Sequence, residues 1–229
     1  NEVSFDVTIN ISPAIINPGD QTACDTYSLP AISGTNLSGS ESYYTGPGGT
    51  GTALNPGDAI TTPGVTTIYI YDETGTTPNC ADEVSFDVTI TTTPVITNPG
   101  DQTACDSYTL PAISGTDLSG SESYYTGPGG TGTALNPGDA ITTPGVNTIY
   151  IYDETGTTPN CSDEVSFDVT INVSPTFTLI FTDPSGCGAS DGSITIQGLT
   201  PSATYDITYS DGGTPVNLTG QTANGSGEI

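Results

Sequence analysis

The sequence predicts an all-β chain of tandem immunoglobulin-like β-sandwich modules arranged as an extended rod. Three observations lead there. Residues 2–82 recur at 83–163 with ten substitutions, a period of 81, and a fixed period of that size marks an array of small modules. The segment Val84-Ser85-Phe86-Asp87-Val88-Thr89-Ile90 alternates, with its four apolar residues on one side and Ser85, Asp87 and Thr89 on the other, as a strand with one buried face requires. Gly (29) and Pro (18) punctuate the chain, while no helix-length stretch shows a 3.6-residue period, which argues for short strands joined by turns.

Taken in order, residues 2–9 duplicate 83–90, so the chain opens on what reads as the last strand of a preceding module. The expected organisation is therefore that strand at 1–12, full repeats at 13–92 and 93–173, and a partial β-sandwich module of another type at 174–229. Within the first repeat, strands are expected at 14–17, 24–32, 41–45, 51–54, 58–61, 65–73 and 81–90. Seven strands in about 80 residues, with turns every 8 to 12, is the pattern of an immunoglobulin-like sandwich. The motif Asn-Pro-Gly-Asp begins at Asn17, Asn55, Asn98 and Asn136. Pro presets φ at the second turn position and Gly accepts positive φ at the third, which fits a type II turn. Gly46-Pro47-Gly48-Gly49-Thr50-Gly51 has the look of a phosphate loop. It lacks the following Lys-Ser/Thr and a helix, so it reads as a hairpin. The stretches at 11–14 and 92–95 contain Pro and are short, which favours stiff joints. After Pro175 the repeat stops, but alternation continues in Ser193-Ile194-Thr195-Ile196 and in Thr204–Tyr209.

Charge removes most functions. The chain has 26 Asp and Glu, no Lys, Arg or His, and a formal charge of −26. Nucleic acids and anionic membrane surfaces are repelled. There is no His for general base work, no Lys for Schiff-base chemistry and no cation to hold a phosphate or oxyanion. Carboxylate pairs alone can run glycoside hydrolysis, but these lie on a duplicated hairpin with no sign of a cleft, so the chain is read as non-enzymatic. Without Lys, isopeptide cross-links are excluded and trypsin has no cleavage site.

Cysteine use points outside the cell. Cys24 and Cys80 recur as Cys105 and Cys161, two per module, in the manner of extracellular disulfide-stapled domains. Two pairings are open. A bridge within each repeat, Cys24–Cys80, leaves each module self-sufficient and is preferred, although the two cysteines belong at opposite poles of a sandwich. The other pairing, Cys24–Cys161, staples one repeat to the next. Cys187 has no counterpart in the repeat; its partner is expected beyond Ile229, with a free thiol as the alternative.

The acidic pairs Asp72-Glu73 and Asp82-Glu83 flank one loop, and Asp153-Glu154 and Asp163-Glu164 repeat them. Carboxylates gathered at a joint with no basic neighbour suit a hard, oxygen-seeking ion. Calcium is therefore the candidate ligand, with no other cofactor expected; the simpler reading leaves these charges solvated. Tyr43-Tyr44 and Tyr124-Tyr125 are candidates for a glycan-stacking platform, against the plainer reading of cross-strand packing. Asn10, Asn36 and Asn172 each open a glycosylation-type triplet.

Cys105-Asp106-Ser107-Tyr108-Thr109-Leu110-Pro111-Ala112-Ile113, Tyr124-Tyr125-Thr126-Gly127 and Ile149-Tyr150-Ile151-Tyr152-Asp153-Glu154 resemble the immunoglobulin-like repeats of giant surface proteins of Bacteroidota. Cys187-Gly188-Ala189-Ser190-Asp191-Gly192-Ser193-Ile194 is similar to the opening of the repeats in SprB-like gliding adhesins. The resemblance implies export by the type 9 secretion system, cell-surface display, and adhesive or fibrous use connected with gliding motility. It also implies that the first cysteine of the third module pairs near that module's end. The partners it implies are other modules of the same chain, identical chains laterally in a fibre, and surface glycans. The expected function is a stalk or filament segment, each module adding about 35 Å of length, with a glycan-binding module as the alternative.

Overall fold

The computed structural model describes residues 2–210 and 213–229. They contain strands and no helix, hence none long and apolar enough to cross a membrane. The first repeat holds β1 (Ala14–Ile15), β2 (Gln21–Cys24), β3 (Tyr27–Ser28), β4 (Gly34–Thr35), β5 (Ser42–Gly46), β6 (Thr50–Leu54), β7 (Ala59–Ile60), β8 (Gly64–Glu73) and β9 (Ala81–Thr91). The second repeats them as β10 (Val95–Ile96), β11 (Gln102–Cys105), β12 (Tyr108–Thr109), β13 (Gly115–Thr116), β14 (Ser123–Gly127), β15 (Thr131–Leu135), β16 (Ala140–Ile141), β17 (Gly145–Glu154) and β18 (Ser162–Asn172). The remainder holds β19 (Thr178–Thr182), β20 (Ser193–Gln197), β21 (Thr204–Tyr209) and β22 (Val216–Thr222). By packing, the chain divides into two compact units. The first takes in the chain to Gln102 with Thr109–Ile141 and Val146–Val169, and the second Thr103–Tyr108, Thr142–Gly145 and Thr170–Ile229.

Each repeat is built on one five-stranded sheet, in the order β2-β9-β8-β5-β6 and again β11-β18-β17-β14-β15. The long hairpin β8–β9 runs in unbroken antiparallel register from Gly64↔Ile90 to Glu73↔Ala81. Its inward face is apolar because period two places Ile68, Ile70, Phe86, Val88 and Ile90 on one side. The opposing layer is made of two-residue ladders, β1–β4 and β3–β7, which supply Ile15 and Ile60 to the same core, joined by Leu29 just after β3. Tyr43 completes it, ring edge against Phe86 at 6.3 Å, with its hydroxyl donating to Pro30 O at 3.1 Å. The counterparts of these residues 81 positions on, from Ile96 to Ile171, are buried in turn.

One expectation is corrected by local chemistry. The strand expected at 24–32 does not form; β2 stops at Cys24 and Asp25 turns the chain with φ of 60°. Asp is among the few non-glycine residues that adopt this conformation readily. The segment before it, Gln21–Cys24, runs parallel to β9 with Cys24 opposite Thr91, an edge pairing that the sequence did not reveal. The Asn-Pro-Gly-Asp turns close at Asn55 and Asn136, where Asp58 N and Asp139 N each donate to the Asn O at 3.0 Å. At Asn17 and Asn98, among the described residues, no such backbone bond closes the turn, although Gly19, Gly57, Gly100 and Gly138 all take φ between 73° and 97°.

Beyond Pro175 the strands pair as two separate hairpins, β19–β20 and β21–β22. They enclose an open apolar groove that includes Leu179, Ile196, Ile207, Leu218 and Ile229. Cys187 lies exposed in the β19–β20 loop. That loop is organised by Asp191, which accepts the Ser185 N–H at 2.9 Å, and these hydrogen bonds hold its carboxyl below the ordinary value of 3.8.

Candidate functional site

The β8–β9 hairpin forms the near pole of each repeat, and β9 leaves the repeat at the far pole. Cys80 sits immediately before β9, whereas Cys24 pairs beside Thr91 at its other end. The 11 residues of β9 separate them by about 35 Å. A disulfide needs Cα atoms within about 7 Å. The preferred within-repeat bridge is therefore sterically impossible, and the structure joins Cys24 to Cys161, with an S–S bond of 2.02 Å and Cα atoms 5.8 Å apart. Cys80, Cys105 and Cys187 are free thiols.

Both sides of this bond are held by short-range chemistry. On the near pole of the second repeat, Thr155 N donates to Cys161 O at 2.9 Å and Cys161 N to Thr155 Oγ1 at 3.0 Å. Asn160 Oδ1 accepts Gly156 N at 2.9 Å, while its amide donates to Glu154 at 2.9 Å. On the far pole of the first repeat, Asp25 N donates to Thr91 O at 3.0 Å. The Asp25 carboxylate accepts Thr93 N at 2.8 Å and Thr93 Oγ1 at 2.6 Å. These hydrogen bonds, side chain first, hold the Asp25 carboxyl below its ordinary 3.8. Asp106 holds Ser174 in the same way and shows the same lowering. A linker of three threonines is thus clamped at the start of its Pro94 turn, and Cys161 Sγ lies 3.6 Å from Thr91 O.

The acidic pairs do not converge as one cluster: Asp72 and Asp82 are register partners on one face of the β8–β9 hairpin, and Glu73 and Glu83 lie on the other. Asp72-Glu73 ends β8 and Asp82-Glu83 begins β9, and consecutive strand residues point to opposite faces. Asp72, 1% exposed, faces the core and accepts the backbone N–H of Ser38 at 2.9 Å together with its hydroxyl. Asp82 accepts Ile15 N at 2.7 Å. On the outer face, Glu73 accepts Tyr71 OH at 3.0 Å and the Asn79 amide at 2.9 Å. Glu83 accepts Gly48 N from the glycine-rich hairpin. The loop that resembles a phosphate cradle therefore holds a carboxylate of its own chain. Asp153, Glu154, Asp163 and Glu164 repeat the arrangement, donors being Ser119, Tyr152 with Asn160, Ile96 and Gly129. Among the described residues no three carboxylate, Cys or His side chains converge as a metal site would require.

The aromatic candidates divide as well. Tyr43 and Tyr124 are each 1% exposed and belong to the cores, which removes them from any stacking platform. Tyr44 and Tyr125 lie half-buried on the outer face, edge-on to Tyr71 and Tyr152 at 6.4 Å. The hydrogen bond to Glu73, then partial desolvation and nearby carboxylates, raise the Tyr71 hydroxyl above its ordinary 10.0.

Residues that the sequence reading missed are Asp25 and Asp106, and Asp20 and Asp101, whose carboxylates accept Asp87 N and Asp168 N at 2.9 Å. Their signal was present as the duplicated Cys-Asp dipeptide and the Pro-Gly-Asp end of each turn.

No protein-family profile matches the chain, and no curated protein matches it. Among solved structures, human cadherin-23 repeats EC21–23 are similar at 15% identity and TM-score 0.30, over 69% of this chain and 63% of that one. Mouse cadherin-23 EC22–24 is similar at 13% and 0.32, over 76% and 71%. Drosophila N-cadherin EC1–4 is similar at 10% and 0.32, over 71% and 50%. The chain thus spans between half and about seven tenths of the length of these extracellular cadherin fragments.

Proposed function

We propose that the chain is a stalk segment of a large secreted cell-surface adhesin, a non-enzymatic array whose modules extend or assemble a surface fibre. The observation that supports this best is the Cys24–Cys161 bridge. A bond between successive modules, beside a linker clamped by Asp25, transmits force and resists bending, and neither feature serves a catalytic or small-ligand site. The absence of any Lys, Arg or His leaves the chain without the usual parts of an active site. Resemblance to Bacteroidota surface repeats supports type 9 secretion and a place in gliding adhesins. The test is removal of one 81-residue repeat from the native surface protein. Electron microscopy of the cells should show the fibre shortened by about 35 Å, with adhesion to its target unchanged. Loss of target binding on removal of a repeat would transfer the function to the modules themselves.

A further inference from the structure

We propose that residues 7–12 together with Cys80 form an acceptor site for the Cys-Asp end of another repeat of this same type, closed by a disulfide to Cys80. The inference rests on the stalk reading and names the partner chemistry of the joint at Cys80. Three observations carry it.

Glu2–Ile9 has the sequence of Glu83–Ile90, yet Val3, Phe5, Val7 and Ile9 are 69–87% exposed. Their counterparts Phe86, Val88 and Ile90 are at most 2% exposed against Ile68, Ile70 and Tyr43. What covers this face is therefore specified by the chain itself: a sheet with the repeat's own core. The segment is moreover already seated on the next repeat. Asn10 stands where Thr91 does, its carbonyl 3.8 Å from Cys80 Sγ, as Thr91 O is 3.6 Å from Cys161 Sγ. Its amide donates to Thr76 Oγ1 at 2.7 Å and Pro78 O at 2.6 Å. The hairpin carrying Cys80 is built like the one carrying Cys161, with Thr74 N to Cys80 O at 2.9 Å and Gly75 N to Asn79 Oδ1 at 3.0 Å. The two joints differ in the linker residues Asn10, Ile11 and Ser12, which stand for Thr91, Thr92 and Thr93, and in the incoming cysteine.

The register of the filled joint then fixes the partner's chemistry. Gln21, Thr22, Ala23 and Cys24 run parallel to Val88, Thr89, Ile90 and Thr91. The incoming Gln-Thr-Ala-Cys strand runs parallel to Val7, Thr8, Ile9 and Asn10 in the same way. The Asp after it reaches Ser12, which occupies the place of Thr93. Closure removes two thiol protons and two electrons, which pass to an oxidised disulfide donor that leaves as two thiols. Each repeat type thereby bonds its Cys-Asp corner to the hairpin of the next module, giving a ladder of bridges along the array.

The experiment uses the full chain with a copy of residues 13–82 placed ahead of Glu2, oxidised with a glutathione redox pair. Cleavage after Glu leaves Cys24, Cys80, Cys105, Cys161 and Cys187 on separate peptides, so the linkages read directly. The expected product joins the copy's first cysteine to the peptide 74–83 and keeps 3–41 joined to 155–164, while residues 3–9 gain slow amide exchange. Cys80 remaining open to alkylation, or pairing with Cys24, overturns the proposal. So does a folded extended chain in which residues 3–9 still exchange as freely as in the 229-residue chain. If Cys80→Ser in the extended chain also abolishes the slow exchange, the thiol is essential to docking; if it does not, the strand docks without it, and both results support the site. X-ray scattering on the same sample separates the two readings, because an elongated particle with Cys80 free overturns the site and leaves the stalk intact.

Discussion

Cys24 and Cys161 lie 137 positions apart in sequence and are bonded across the joint between two repeats. Closing a loop of that length restricts the unfolded chain by about 5 kcal/mol in the chain-entropy treatment. Cys24→Ser should therefore lower the thermal midpoint of the tandem markedly, and reduction of the native chain should do the same. In a pulling experiment the intact bond withholds those 137 residues, about 480 Å of contour. Equal contour lengths before and after reduction would show that the bond is not formed.

The clamp beside this bond gives the chain an acid sensitivity. Asp25 has its carboxyl lowered by the Thr93 hydroxyl and N–H, so the folded state favours the ionised form. The contribution is complete above the unfolded value near 3.8 and is lost as pH falls through the lower folded value. Asp106 with Ser174 behaves alike. Asp25→Asn should flatten the fall of the midpoint as pH drops below the ordinary 3.8. An unaltered pH profile in the variant would remove Asp25 from the joint's acid response.

Much of the fold was legible because β8 and β9 alternate cleanly and their turns carry Pro and Gly where φ demands them. The disulfide partner was not. It depends on where β2 ends relative to β9, and that in turn depends on Asp25 adopting positive φ and on a parallel edge pairing, neither of which leaves a periodic trace. The division of the acidic pairs between two faces was hidden for a related reason. Adjacency in sequence looked like proximity, but the pleat sends Asp72 to the core and Glu73 to the outer face.

That separation carries its own prediction for calcium. Each of Asp72, Glu73, Asp82 and Glu83 already accepts an N–H or O–H from its own repeat. Calcium ordinarily takes six to eight oxygens from one direction-rich cluster, and these lie on two faces of a sheet. Millimolar calcium chloride should shift the thermal midpoint no more than sodium chloride of equal ionic strength. A saturable heat in titration calorimetry would overturn this.

The Ser38–Asp72 pair offers the sharpest single-residue test of how an all-acidic chain tolerates burial. Asp72 is 1% exposed in a chain with no Lys, Arg or His to neutralise it. What holds it is the N–H and hydroxyl of Ser38, 34 residues earlier, which ties the loop after β4 to the end of β8. Hydrogen bonds to a charged group contribute about 1.5–3 kcal/mol each. Asp72→Ala should therefore cost about 3 kcal/mol and loosen residues 36–40, because the Ser38 donors lose their acceptor. Ser38→Ala should cost about 2 kcal/mol by leaving the carboxylate one donor short. If the double substitution costs no more than either single one, the two residues act as a unit, whereas additive losses would show that they contribute separately. Urea unfolding of the four proteins at pH 7 decides between these outcomes, with Asp153 and Ser119 providing the internal replicate in the second repeat.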